Sequence, residues 1–241
     1  MEAGALVLLD DDFSSIVKAI CLGRRIFDNL RKAMAYIIAV HIPIAGLSLL
    51  PVLFGWPLML LPVHVVFIEL IIDPACSIAF EAEPAEPDIM ERPPRSKKEP
   101  LLSGRTIFLS LMQGGAVLLV TFGIYAMFLY QGRNDLEART LAFTTLVIAN
   151  LGLILSNRLW AASILAIFRY ENKPLYIIIA ATMTILFLVM YVPVLRELFH
   201  FGILHANDWG LCLGASIACV IWFELVKHFG RAMPKPLAAG N

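Results

Sequence analysis

The sequence predicts an all-α fold: a polytopic membrane helix bundle with six transmembrane helices and a long cytoplasmic stalk helix. Hydrophobic residues make up 59% of the chain and charged residues 16%, whereas soluble domains are about half apolar and about a quarter charged. The apolar residues occur in blocks of roughly twenty, the length that crosses a hydrocarbon core of about 30 Å. The predicted spans are residues 34–54, 58–80, 106–130, 139–157, 174–194 and 209–229.

The Lys and Arg residues are distributed unevenly between the two ends of the predicted bundle. All but three of the 19 precede the first span, lie at the end of the sixth or after it, or lie between the second and third or the fourth and fifth. The three exceptions are Arg133, Arg139 and Arg196. Because positive loops stay inside, we expect both termini to be cytoplasmic. The chain is thus predicted to be a multi-pass protein of the cell membrane, with the lipid bilayer and no nucleic acid as a partner.

The first part of the chain is predicted to be a helix that projects from the membrane. Residues 13–33 form this stalk, with Asp12 or Ser14 as the N-cap, and the same helix continues into the first span. The alternative is an amphipathic helix that lies on anionic lipid. Residues 5–9 resemble a short strand, which needs neighbouring strands to be stable. The predicted segments are residues 1–12 as the end of a preceding domain, 13–33, the six-span domain 34–229 with its cytoplasmic loop 82–105, and the cytoplasmic tail 230–241.

The second span carries two carboxylates, Glu69 and Asp73, one helical turn apart. A charge in the middle of a span costs at least about 2.5–3.5 kcal/mol on insertion scales, and like charges at this spacing also repel. We therefore expect the pair to face the bundle interior and to share a cation or a proton. The alternative is a structural hydrogen bond, or a position close to the membrane surface.

Two prolines are expected to open the helices beside these carboxylates. Pro74 cannot donate a hydrogen bond to the carbonyl of Leu70, and Pro43 leaves the carbonyl of Ala39 free in the preceding span. Carbonyl and carboxylate oxygens together suit calcium, magnesium or sodium ions, or protons. The alternative is that each proline only kinks its helix.

Other polar residues within the spans are candidates for the same site. His41, next to the Pro43 opening, is a candidate ligand or proton relay, or else it caps the kink. Asn150 in the fourth span could add an amide oxygen, although interhelical hydrogen bonding is the commoner use of such a residue. His64 and Ser77 are weaker candidates. No Ser/His/Asp or Cys/His arrangement in the sequence suggests hydrolytic chemistry.

Several stretches, in order, resemble the C-terminal part of P-type cation-transporting ATPases of the calcium, sodium/potassium and proton pump group. The end of the phosphorylation domain and the stalk helix are similar to VLLDDDFSSIVKAICLGRRIFDNLRKA. The sixth transmembrane helix is similar to IELIIDPACSIAFEAEP, and the following cytoplasmic loop to EPDIMERPPR. The four remaining spans have the spacing of helices seven to ten. The resemblance covers essentially the whole chain and implies that Asp73 is the family's cation-liganding aspartate.

The family's catalytic parts are not found in this sequence: the Asp-Lys-Thr-Gly phosphorylation motif, the nucleotide-binding and actuator domains, and the first four helices. The resemblance therefore implies the transport half of a pump, which should not hydrolyse ATP alone. A chain supplying the catalytic domains is a possible partner, and ATP and magnesium belong only to a full-length pump. No cofactor is expected in this chain. The alternatives are a stand-alone secondary ion transporter and a non-catalytic or vestigial membrane protein.

The resemblance also implies an altered set of ligands. Calcium pumps carry an asparagine and a glutamate in the fifth helix, where this sequence has His41 and Ile44. Glu69 stands at the usual asparagine of the sixth helix, and Asn150 at a glutamate of the eighth. We expect a cation or proton site with Asp73 and Glu69 as its main ligands, joined by His41 and Asn150. The cargo is one divalent ion, a monovalent ion or a proton.

Overall fold

The computed structural model describes residues 12–86, 88–94, 100–158 and 172–232, which are helices and their connections with no strand among them. Six of the helical segments in this part of the chain are long and apolar enough to cross a membrane, which confirms the predicted fold class. The predicted strand at residues 5–9 and most of the predicted tail lie outside the described residues. The helices are α1 (Phe13–Leu53), α2 (Pro62–Pro74), a π-helix (Ala75–Ala79), α3 (Gly104–Tyr130), α4 (Asp135–Arg158), α5 (Lys173–Tyr191), α6 (Pro193–Leu198) and α7 (Ala206–Ala232).

Stalk and first span form one continuous helix, α1, of 41 residues. Asp12 is its N-cap, because the Asp12 side chain accepts a hydrogen bond of 2.9 Å from the backbone N–H of Ser14. The helix passes through Pro43 and Pro51 without ending. The predicted opening at Pro43 is therefore limited to one unmade backbone hydrogen bond, that of the Ala39 carbonyl.

The second span changes its helical winding at Pro74. Helix α2 ends there and a π-helix follows directly over Ala75–Ala79. Since Pro74 has no N–H to donate, the backbone can take up the wider winding at little further cost. The hydroxyl of Ser77 donates a hydrogen bond of 2.6 Å to the backbone oxygen of Asp73. The helix thus opens next to the carboxylates, as the sequence predicted, in the form of a π-helical turn.

Helix α4 is the centre of the bundle. In its apolar window 89% of the residues are buried, against 22–39% in the other five spans. Its threonine hydroxyls bond to carbonyls of the same helix: Thr144 donates to the Thr140 carbonyl at 2.7 Å and Thr145 to the Leu141 carbonyl at 2.9 Å. Because these hydroxyls need no solvent, they can be buried where α1, α3 and α7 pack around α4.

At one end of the bundle the first half of α1 is bonded to the connection that follows the π-helix. Arg24 donates to the carbonyls of Ile89 and Arg92, both at 2.7 Å. Arg25 and Asn29 both donate to the Glu83 carbonyl at 2.8 Å. These bonds hold residues 80–92 against the stalk part of α1.

At the opposite end, side chains satisfy the carbonyls of the α1–α2 connection. Arg139, at the start of α4, donates to the Leu58 carbonyl at 3.0 and 2.9 Å and to the His200 carbonyl at 3.1 Å. Tyr125 of α3 donates to the Pro57 carbonyl at 2.7 Å. The chain reaches these two ends alternately, as a bundle of six membrane spans requires.

Candidate cation site

His41 and Glu69 meet between α1 and α2. The Nε2 atom of His41 lies 3.7 Å from Oε1 of Glu69. The Nδ1 atom of His41 is 2.8 Å from the Ile37 carbonyl oxygen, one turn earlier in α1. Because a carbonyl only accepts, Nδ1 carries a hydrogen and Nε2 is the ring atom that faces the carboxylate. The first two predicted site residues are therefore neighbours.

This orientation of the imidazole has a chemical consequence. With a hydrogen on Nδ1, the neutral ring presents a lone pair at Nε2, and a lone pair repels an ionised carboxylate. A favourable approach needs one proton, either on Nε2 of His41 or on Glu69. The same carboxylate oxygen can instead bind a metal cation placed between the two groups. The pair is thus suited to hold a single positive charge.

Asp73 lies one turn further along α2, on the side of Glu69, and its side chain is exposed. His41 and Glu69 are also partly exposed, at 50% and 39% of their side-chain surfaces. All three belong to membrane spans. Ionisable groups within spans normally face protein or water rather than lipid. The α1–α2 face that carries His41, Glu69 and Asp73 is therefore unsuited to contact with hydrocarbon.

Asn150 lies in the enclosed helix α4. It is 2% exposed and its Oδ1 atom has no hydrogen-bond partner among the described residues. The carbonyl of Ala39, which Pro43 cannot satisfy, lies against Gly114 of α3. Within the described part of the chain, no three His, Cys, Asp or Glu side chains are grouped closely enough to hold a metal ion. The four-ligand set stays a prediction.

Two features of this region were not predicted from the sequence. Tyr36 of α1 is completely buried, and its hydroxyl has no hydrogen-bond partner among the described residues. In the sequence, the one indication of this feature is a side chain with a polar hydroxyl in the middle of an apolar run. The second feature is an ion pair between Glu83 and Arg158 beyond the π-helix. Because the two residues are 75 positions apart in the sequence, no local sequence pattern indicates the pair.

The chain is similar in sequence to calcium-transporting ATPases of several bacteria. The chain is 31% identical to calcium-transporting ATPase 1 of Bacillus cereus over 93% of its own length and 27% of that protein. It is 29% identical to the calcium-transporting ATPase of Bacillus subtilis, over 89% of this chain and 24% of the relative. For calcium-transporting ATPase 1 of Lactococcus lactis the identity is 28%, over 97% and 26%. The chain thus spans about a quarter of the length of these curated relatives.

The family comparison covers most of the membrane region. Residues 57–229 match the family of the cation transporting ATPase C-terminus. The matched segment runs from the connection before α2 into α7, so it includes Glu69, Asp73 and the π-helix. With six membrane spans and this match over more than half of its length, the chain belongs to the C-terminal membrane region of the cation-transporting P-type ATPases.

Proposed function

We propose that this chain is the transport part of a P-type cation pump and that the α1–α2 face with His41, Glu69 and Asp73 binds the transported cation or proton. The observation that carries the proposal is the approach of His41 Nε2 to Glu69 Oε1, at 3.7 Å, within two membrane spans. Two carboxylates one turn apart need a positive charge to remain ionised there. A bound cation would supply that charge.

The backbone beside the site supports a transport role. The π-helix of Ala75–Ala79 directly follows Asp73 and Pro74. Segments of this kind are frequent at functional sites, because they change helical register without ending the helix. A carboxylate at such a point can change its direction when the winding changes. This is a means by which a site can alternate between two openings.

The exposure of the site supports the involvement of further protein. His41 and Glu69 are 50% and 39% exposed in this chain, and charges exposed to hydrocarbon are costly. We infer that helices from another part of the pump, or from a partner chain, cover this face and complete the ligand set. ATP hydrolysis would depend on the same additional domains. Asn150, whose buried Oδ1 atom has no hydrogen-bond partner among the described residues, is the ligand that α4 would add.

The proposed location is the cell membrane, with both termini in the cytoplasm. All but three of the 19 Lys and Arg residues would then lie on the cytoplasmic side. A protease-cleavable tag on either terminus should be cut in inverted vesicles and protected in intact cells. Cleavage of either tag in intact cells would contradict this orientation.

The test is thermal unfolding of the purified full chain in detergent with Ca²⁺, Mg²⁺, Na⁺ or K⁺, at acidic and neutral pH. A cation that binds the folded state raises the unfolding temperature with concentration. We expect one of these cations, or protonation at acidic pH, to stabilise the wild type, and this effect to be lost in Asp73→Asn. Asp135→Asn, which removes an exposed carboxylate at the start of α4, is the matched control and should respond as the wild type does.

The alternatives predict other outcomes. A stand-alone secondary transporter would move the stabilising cation into liposomes under an ion gradient without ATP, and Asp73→Asn would abolish this movement. A non-catalytic membrane protein would show no stabilisation by any of the cations and no difference between wild type and Asp73→Asn in the response to pH. Either result would contradict the proposed pump function.

A further inference from the structure

Asn172, the N-cap of α5, makes side-chain hydrogen bonds to three parts of the chain. Its Oδ1 atom accepts from the backbone N–H of Leu175 at 3.1 Å. Its Nδ2 atom donates to the Ala79 carbonyl and to Oε2 of Glu83, both at 2.8 Å. Asn172 is buried, at 2% exposure. An N-cap needs only the first of these bonds, so the two donated bonds have a separate role.

The Ala79 carbonyl lies where the spacing of the backbone hydrogen bonds changes. The N–H of Phe80 donates to the Ala75 carbonyl, five residues back, at 3.1 Å. The N–H of Ala82 donates to the Ile78 carbonyl, four residues back, at 3.0 Å. Carbonyls at the end of a helix need donors from outside it. A buried side-chain amide supplies such a donor to Ala79 at the end of the π-helix.

The amide of Asn172 is itself held in place by a buried ion pair. Arg158, the last residue of α4, donates through Nε to the same Oε2 atom of Glu83 at 2.6 Å. Both of these charged side chains are 1% exposed. The end of the π-helix is therefore bonded, through Asn172, to the end of α4 and the start of α5.

Both sides of the π-helix are thus held by the rest of the bundle. On one side α2 is packed through Ile71 and Ile72, which are 5% and 3% exposed. On the other side Ala79 is bonded to Asn172. Hydrogen bonds of a π-helix span one residue more than those of an α-helix. With both ends held, the turn between them keeps this extra residue.

The winding of this turn sets the direction of Asp73. Asp73 lies at the end of α2, directly before Pro74, and Ala79 is the last residue of the π-helix. Each residue of an α-helix turns the chain by about 100°. Removal of the extra residue from the turn would therefore rotate Asp73 by about 100° relative to Ala79. A bond that fixes Ala79 restrains this rotation.

We propose that Asn172 is a positioning residue for the cation site: its bond to the Ala79 carbonyl maintains the π-helix, and the π-helix sets the direction of Asp73. This inference rests on the proposed cation site. Asn172 acts through the backbone, because its own amide is bonded to Ala79 and Glu83. The start of α5 is in this way connected to a carboxylate in the second span.

The test compares Asn172→Ser with Asn134→Ser in the full chain in detergent. Serine is as good an N-cap as asparagine, so Asn172→Ser keeps the cap of α5 and loses the amide donor. Asn134 is the matched control, an exposed asparagine whose Oδ1 atom accepts from the N–H of Leu136 at 3.2 Å, at the start of α4.

Two quantities are measured for each variant. The first is hydrogen exchange of peptides that cover residues 75–82, which reports how often the backbone bonds of the π-helix open. The second is the midpoint concentration at which the stabilising ion raises the unfolding temperature, for one of the four cations or, through the pH, for the proton. A merely structural bond would change the first quantity and leave the second as it is.

For Asn172→Ser we expect faster exchange over residues 75–82. The midpoint concentration should rise roughly three- to tenfold, the effect of one lost hydrogen bond between neutral groups, because the winding that binds the ion loses population. For Asn134→Ser we expect the wild-type exchange over residues 75–82 and the wild-type midpoint.

Three results would overturn the inference and leave the proposed function intact. The first is wild-type exchange over residues 75–82 in Asn172→Ser. The second is faster exchange with a wild-type midpoint, and the third is an equal rise of the midpoint in Asn134→Ser.

The wild type decides the question if Asn172→Ser does not fold. The stabilising ion should slow exchange over residues 75–82 more than it slows exchange over α7, and equal slowing in the two segments would overturn the inference. A wild type that responds to none of the four cations and to no change of pH would instead overturn the proposed function, and this inference with it.

Discussion

Glu83 and Arg158 form an ion pair in which Oε2 lies 2.6 Å from Nε and each side chain is only 1% exposed. Asn172, at the start of α5, donates to the same carboxylate oxygen at 2.8 Å. The pair therefore joins three parts of the chain: the connection after the π-helix, the end of α4 and the start of α5. It holds these three parts in fixed positions relative to one another, close to the π-helix.

Loss of one partner should strongly destabilise the protein. We expect Glu83→Gln to lower the free energy of unfolding by about 3–5 kcal/mol, because a buried charge is left without its counter-ion. Denaturant unfolding in detergent measures this change. Glu91→Gln, an exposed carboxylate of the same connection, should change it little. The double variant Glu83→Leu/Arg158→Met should recover much of the loss, and no recovery would contradict the argument.

Helices α1 and α3 are in close contact at Gly114. A side chain there would meet the Ala39 carbonyl oxygen and the side chain of Ile42, whereas at Gly115 it would meet nothing within 4 Å. We expect Gly114→Ala to cost about 1–3 kcal/mol, because the backbone oxygen cannot move aside without separating the helices. Gly115→Ala should be neutral or stabilising by up to about 1 kcal/mol. Equal unfolding temperatures of the two variants would contradict this packing.

Arg139 organises the opposite end of the bundle through backbone carbonyls. In Arg139→Gln the carbonyls of Leu58 and His200 lose a charged donor. The expected loss in unfolding free energy is at least about 1.5–3 kcal/mol, the value of one such hydrogen bond. Arg196→Gln removes a partly exposed charge at the same end and is the control. A loss in Arg139→Gln no larger than in the control would show that these bonds contribute little.

The ion pair between Asp88 and Arg92, within the connection after the π-helix, should weaken in acid. Arg92 bonds Asp88 and so lowers the pKa of that carboxyl below its ordinary value of 3.8. A depressed pKa stabilises the folded state above that ordinary value, and the contribution is lost as the pH falls through the folded-state pKa. We expect the difference in unfolding temperature between wild type and Asp88→Asn to shrink in acid. The effect should be small, since Asp88 is 51% exposed.

The control for this pH dependence removes the cation. In Arg92→Gln, a further Asp88→Asn substitution should make little difference at any pH, because the hydrogen bond that lowers the pKa is gone. If the difference persists in the absence of Arg92, another group stabilises the Asp88 carboxylate.

Several features could be predicted from local sequence because their causes are local. Blocks of apolar residues predict the six spans, whatever their packing, since length and hydropathy decide whether a helix crosses a bilayer. The cap at Asp12 follows from one side chain and the next two residues. The opening at Pro74 follows from a missing N–H. Its exact form, a π-helix, was not predicted.

The assembly of the site could not be predicted in the same way. Glu69 and His41 come from different helices, and their contact depends on how α1 and α2 pack. Asn150 was placed in the ligand set as an amide within the fourth span and by its resemblance to a family position, and that role stays a prediction. The structure adds that α4 is enclosed, which no apolar pattern distinguishes from its neighbours.

The sequence by itself determined that this protein is a bundle of six membrane helices with two carboxylates beside a broken helix. Hydropathy and proline chemistry are sufficient for that, because they act within one segment. Only the tertiary structure decided that His41 faces Glu69, that Tyr36 is completely buried, and that Glu83 pairs with Arg158. These relationships arise from packing between segments, where the free energy depends on which surfaces meet.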